Sequence, residues 1–280
     1  MAKSDHFRFV SLLALELDNG DINLPSLPDV VMKIRNMLQR DDCDFGRISQ
    51  AVSIDPVLVS RLFVFANSAF YNRANVKIET LDGAIGRLGF EVVRNAAMSL
   101  AMKQLYSSDK HDKLAKHLRA VWARGMKLSS MAFAIAELRK ELNSETAFLC
   151  GLLHEIGKLY ILTKAEEFPE FLGDPESLES VMEEWNSQIS KSIVESWGFP
   201  QEVIESTDPD TCQNQEIDAP ADLVDVIRIA KILVDGNEQN LQTIFDADLS
   251  CQKLGMNEDV AADVMLAYRD KLKTMQQSLA

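Results

Sequence analysis

Gly151-Leu152-Leu153-His154-Glu155-Ile156-Gly157-Lys158-Leu159 sets an imidazole beside a carboxylate, between two glycines in an otherwise apolar helical run. Such a pair can hold a hard or borderline metal ion, but only where further histidine and acidic ligands converge from other helices. The chain has four histidines, His6, His111, His117 and His154, whereas a two-metal site consumes about four to six His and Asp side chains. His6 falls in what reads as an unanchored N-terminal segment and His111 in the polar run 107–112, so neither is an expected ligand.

Outward from this stretch the periodicity is helical. Ser144 is expected to cap the helix that carries His154, with Leu149, Leu152, Leu153 and Ile156 as its buried stripe. His154 falls off that stripe on a half-buried face, together with Cys150, Gly151, Gly157 and Lys158. The glycines there permit close approach of a neighbouring helix or a ligand. The imidazole can serve a site on that face or bond across a helix junction.

Upstream, Val30, Val31, Ile34, Met37 and Leu38 share one helical face begun by Pro28 and Asp29, and a second helix runs through Phe45, Ile48, Ala51 and Val52. Asp55-Pro56 supplies a cap and a first-turn proline for a third, carrying Leu58, Leu62, Phe63 and Phe65. Arg61 and Asn67 are placed to tie that helix to the irregular stretch 71–76. Ala84, Ile85 and Leu88 stop at Gly89, a left-handed cap, before a helix from Phe90 to about Leu105.

Residues 107–112 are the first composition break and a boundary candidate. They divide the chain into an N-terminal helical part (1–106), a second helical part (107–235) and C-terminal helices (236–280). One long helix is expected over 113–142, with an interruption at Gly125. A loop is expected over 168–177, a helix over 180–197, an exposed loop over 206–215, and helices over 220–234 and from Glu258 onward with Asn257 as cap. Trp122, Trp185 and Trp197, with Met98, Met102, Met126 and Met131, read as core. The fold class is all-α.

Composition excludes several functions. Hydrophobic content of 46% with 26% charged residues is that of a globular chain, and no apolar run reaches the ~18 residues of a membrane span. The start lacks an export signal, so a cytoplasmic location is expected. Cys43, Cys150, Cys212 and Cys251 have no paired spacing and are expected as reduced, buried thiols. A net charge of −14 without a Lys/Arg-rich run repels phosphate backbones, so neither nucleic acid nor membrane is an expected partner. Dinucleotide, phosphate-loop, nucleophile-elbow and zinc-protease signatures are absent.

The ordered set Leu24-Pro25-x-Leu27-Pro28, Asp55-Pro56-x-Leu58, Arg61-Leu62, Asn67-Ser68-Ala69-Phe70, Ala84-Ile85-x-x-Leu88-Gly89 and Leu152-Leu153-His154-Glu155-Ile156-Gly157-Lys158 resembles the HDOD family, HD-related output domains of bacteria. The resemblance spans about residues 20 to 235. It implies a two-layer all-helical HDOD/HD-like fold, serving signal transduction and not hydrolysis. Against the catalytic HD pattern, Arg124 stands where the first histidine belongs, Glu155 replaces the aspartate after His154, and Asn186 takes a further histidine position. The expected His-His pair falls near Asp210-Thr211, and Lys231 occupies the place of the final aspartate. A guanidinium cannot ligate a metal.

The resemblance therefore implies a non-catalytic module, without a cofactor, that binds a partner protein or a small effector such as a nucleotide. Arg124, His154, Lys158 and Asn186 are the candidate effector-binding residues, and 206–215 is a place for a partner. The alternative is a metal-dependent phosphohydrolase that builds an atypical divalent-metal site from His154, Glu155 and carboxylates of the 208–222 region.

Overall fold

The structure is a computed structural model describing residues 2–20, 22, 29–38, 45–107, 114–211, 216–236 and 241–279. The motif around Leu24, Cys43, His111, Cys212 and nearly all of the expected boundary run lie outside these residues. Among the described residues there are sixteen helices and no strand, and no single helix is long and apolar enough to cross a membrane.

The first helix, α1 (Ala2–Asn19), is anchored, contrary to the expectation for the segment around His6. Phe9 is buried against the rings of Phe168 and Phe171, the His6 ring meets Phe171 edge-on, and Glu16 accepts from Tyr160 Oη and Lys164 Nζ, both at 2.5 Å. Its apolar face thus docks on the second half of the chain.

Helices α2 (Asp29–Leu38), α3 (Phe45–Ser53), α4 (Pro56–Asn67), α5 (Leu81–Leu88) and α6 (Phe90–Tyr106) pack on one another. Asp55 caps α4 by accepting from Val57 N and Leu58 N. Asn67 donates to Phe63 O and Ile78 O and accepts from Ile78 N. The guanidinium that grips the same connection belongs to Arg87, through Ala66 O and Val76 O, and not to Arg61 among the described contacts. Gly89 has φ 77° with an extended ψ of 164°, so it turns the chain from α5 straight into α6. A side chain there is strained.

The second half is built on α7 (Ala115–Ala136) and α8 (Ser144–Leu153). Residues from Leu128 to Ala136 and from Ala147 to Leu153 are buried on every face, as befits central helices. The expected helix over 113–142 therefore ends where burial ends, and the exposed charged stretch 137–141 turns the chain. Gly125 does not interrupt it. The cap of α8 is Asn143, which accepts from Thr146 N, and not Ser144.

Around these helices lie α9 (Ile156–Ala165), α10 (Pro169–Leu172), α11 (Pro175–Ser196), α12 (Gln201–Ser206) and α13 (Leu223–Asp235). Pro169 and Pro175 start helices where a loop was expected, because a first-turn proline gives up no intrahelical bond; Asp174 completes the second start by accepting from Ser177 N. The expected exposed loop also fails in part. Ser206, Thr207 and Asp208 are buried, and the two hydroxyls are satisfied locally through Val203 O and Ile204 O. Asp222 and Asp225 form a capping box that delays α13 to Leu223.

Helices α14 (Leu241–Ala247), α15 (Leu249–Leu254) and α16 (Glu258–Leu279) complete the chain. Asn257 caps α16 by accepting from Val260 N, and α16 packs on both α7 and α4. The four core methionines and Trp197 are buried, and Trp122 and Trp185 pack against the core. Cys150 and Cys251 are free, and burial pushes both thiols up to about 12.

Candidate functional site

His154 and Glu155 are not inside a helix. They form the two-residue break between α8 and α9, with Glu155 at φ −106° and ψ 15°. A helix start leaves its first N–H groups unpartnered, and here α11 supplies the partners. Gly157 N donates to Ser190 Oγ at 2.9 Å, and Lys158 N is shared between Asn186 Oδ1 at 3.2 Å and Glu155 O at 3.1 Å. Asn186 Nδ2 and Ser190 Oγ in turn donate to the carbonyl of His154 at 3.0 and 3.1 Å. A Cβ on Gly157 would lie 2.4 Å from Asn186 O, and one on Gly151 would lie 2.6 Å from Ser129 Cα. Only glycine lets α9 approach α11, and α8 approach α7, this closely.

The Glu155 side chain is 2% exposed. Its Oε1 is bonded by Arg124 Nη1 and lies 3.3 Å from Lys158 Nζ, while Oε2 has no partner. Arg124 extends outward to Asp235 through Nε at 3.2 Å and Nη2 at 2.5 Å, and Lys158 reaches Glu183 at 2.5 Å. Two cations are thus shared between one buried carboxylate and two half-exposed ones. Tyr106 Oη donates to the Glu155 carbonyl at 3.2 Å from a buried position.

The His154 ring is buried, not half-buried as expected, with Nδ1 unpartnered. Burial pushes its pKa down to about 3, helped by the charges of Lys231, Arg124 and Lys158 and opposed by the carbonyl of Ser206. The imidazole is therefore neutral at ordinary pH. A neutral imidazole is a competent metal ligand, but the cations that add to the effect of burial also repel a metal ion.

The carboxylates required by the hydrolytic alternative are engaged elsewhere. Asp208 accepts from Thr211 Oγ1, Asp210 pairs with Arg228 at 2.6 Å and Lys231 at 3.4 Å, and Asp222 caps α13. Among the described residues no three His, Cys, Asp or Glu side chains converge. The described residues at this junction do not fit a divalent ion.

Arg124, His154, Lys158 and Asn186 do meet at the break, as a junction whose two cations already face carboxylates. Asn186 spends both ends of its amide on the backbone. Ser190, Glu183, Asp235 and Tyr106 were missed by sequence reasoning. Glu183, Asn186 and Ser190 follow one another at spacings of three and four, which puts them on one face of α11, and that was the available signal.

A family model described as HDOD domain matches residues 24–210. The chain is 22% identical over 205 residues to an uncharacterized protein of Treponema pallidum (strain Nichols), covering 69% of this chain but 38% of that one. It therefore spans well under half the length of that relative.

Among solved structures, a candidate metal-dependent phosphohydrolase from Shewanella amazonensis SB2B shares 24% identity over 99% of this chain and 100% of that one, with a TM-score of 0.79. An HDOD domain protein of unknown function from Geobacter sulfurreducens shares 20% identity over 95% and 96%, with a TM-score of 0.66. These likenesses establish the fold. With the matched residues covering two thirds of the sequence and the same helical architecture throughout, the chain belongs to the HDOD family.

Proposed function

We propose that this chain is a non-catalytic signalling module that works by binding a partner protein or a small effector. The observation that carries this reading is the state of Glu155: the carboxylate at the metal-ligand position is bonded by Arg124 and approached by Lys158, so the charge a metal would supply comes from the protein itself. Hydrolysis of a phosphate ester through a metal-bound water has no place to start.

The test is turnover. With Mn2+ or Mg2+ added, the purified chain is expected to leave phosphomonoesters, phosphodiesters and nucleoside triphosphates intact. Hydrolysis above background that disappears in His154→Ala would reverse the reading.

Small anionic effectors are a second reading because the outer partners of the two cations are exchangeable. Asp235 and Glu183 are 49% and 60% exposed at their side chains, while Lys158 is buried and Arg124 is only partly open. A phosphate group arriving from solvent would replace these carboxylates on Arg124 and Lys158. Nucleotide is then expected to raise the melting temperature of the wild type, more so in Asp235→Asn, and not in Arg124→Ala, since only ligand bound to the native state stabilises it. Equal shifts in all three proteins would place nucleotide binding elsewhere and remove these residues from it, and no shift in any of them would leave a partner protein as the ligand.

A further inference from the structure

Lys271, on α16, is 1% exposed and enclosed by aromatic rings. Its Nζ lies 3.6 Å from the ring centroid of Phe133 and 5.3 Å from those of Phe70, Tyr71 and Phe148. It also donates to Tyr71 Oη at 2.8 Å and Glu145 Oε1 at 2.9 Å. The carboxylate is itself oriented: Tyr71 Oη donates to Oε1 at 3.2 Å, and Asn95 Nδ2 donates to Oε2 at 2.8 Å.

The faces of several rings and one fixed carboxylate make up the arrangement that selects an alkylammonium ion over a neutral group of equal size. An ion pair that served only to fasten two helices would need the carboxylate alone. The walls come from the α4–α5 connection, α7 and α8, with Asn95 contributed by α6, and none of them from α16. All lie within residues 24–210, whereas the ammonium comes from outside that span. Phe70 also lines an open groove of about 440 Å³, together with Ala267, Asp270 and Thr274 of α16, so one wall of the chamber borders solvent-accessible space.

We infer that this chamber is an alkylammonium-binding site, taking a primary ammonium on an aliphatic stem, and that the chain fills it in cis with its own Lys271. Helix α16 is thereby held as an intramolecular ligand of the family unit, in a site that is complete without it. The inference does not depend on the reading of His154 and Glu155, since none of its residues belongs to that junction.

The test uses the full chain carrying Lys271→Ala, which removes the stem beyond Cβ and leaves the walls in place. The missing piece is n-propylammonium. Its chloride, against sodium chloride at equal ionic strength and against 1-propanol as the neutral analogue, is expected to raise the melting temperature of the variant saturably, by about 3 °C. The wild type, whose chamber is full, is expected to show no such shift, nor is Lys271→Ala with Glu145→Gln.

A shift of equal size with 1-propanol, an equal shift in the wild type, or none in the variant would overturn the inference. Should Lys271→Ala not fold alone, refolding yield in each additive is read instead. Recovery by propylammonium only would support the site, and recovery by both additives or by neither would refute it.

Discussion

His154 is the residue around which the chemistry turns, and its protonation has a measurable consequence. Its pKa is about 3 in the folded chain against an ordinary 6.5, so the unfolded chain takes up a proton that the native state refuses. This contribution to stability is complete above about pH 6.5 and is lost as pH falls toward 3, at a limiting slope of about 1.4 kcal/mol per pH unit. Denaturant melts of wild type and His154→Gln are expected to diverge in pH dependence between pH 7 and 5, the variant being flatter. Parallel curves would show that the ring is solvated. That Arg124, His154, Lys158 and Asn186 would lie near one another was readable in the sequence, because comparison with the catalytic HD pattern sets three of them at ligand positions and Lys158 one turn after His154. Their engagement was not, since no spacing rule says that Asp235 on α13 meets Arg124 on α7, or that Asn186 serves the backbone of a helix break.

At the scale of elements, the break between α8 and α9 depends on glycine. In Gly157→Ala the new Cβ would press on Asn186 O and Ser190, forcing α9 off α11 at a cost of about 1–3 kcal/mol. Gly125→Ala meets nothing within 4 Å inside a continuous helix and is expected to stabilise by about 0.5–1 kcal/mol. Thermal or urea melts of the two variants should move in opposite directions, and a neutral Gly157→Ala would mean that the junction is looser than described. The same contrast marks what could be read in advance. Caps with a local signature, Asp55 before α4 and Asn257 before α16, were legible because donor and acceptor lie within three residues. Gly125 was misread as an interruption and Pro169 and Pro175 as loop residues, since glycine and proline mean different things according to helix position, and burial decides which applies. The break at His154 is set by α11, more than thirty residues away, and no local pattern announces it.

For the whole molecule, the all-α class and the HDOD architecture followed from the sequence, while the placement of its ends did not. Helix α1 crosses to α10 and α11, and α16 fastens to both halves through Lys271. These contacts join residues up to 200 positions apart. Between these ends lies the junction on which the proposed signalling role rests, where Arg124 and Lys158 face the buried Glu155 carboxylate and supply the positive charge that a metal ion would bring. Calorimetric titration of Mn2+ into the chelator-free protein at pH 7, supported by elemental analysis of the protein as purified, tests that claim most directly. The account predicts no saturable heat in the micromolar range and no stoichiometric metal. Near-stoichiometric binding that is lost in His154→Ala would contradict it.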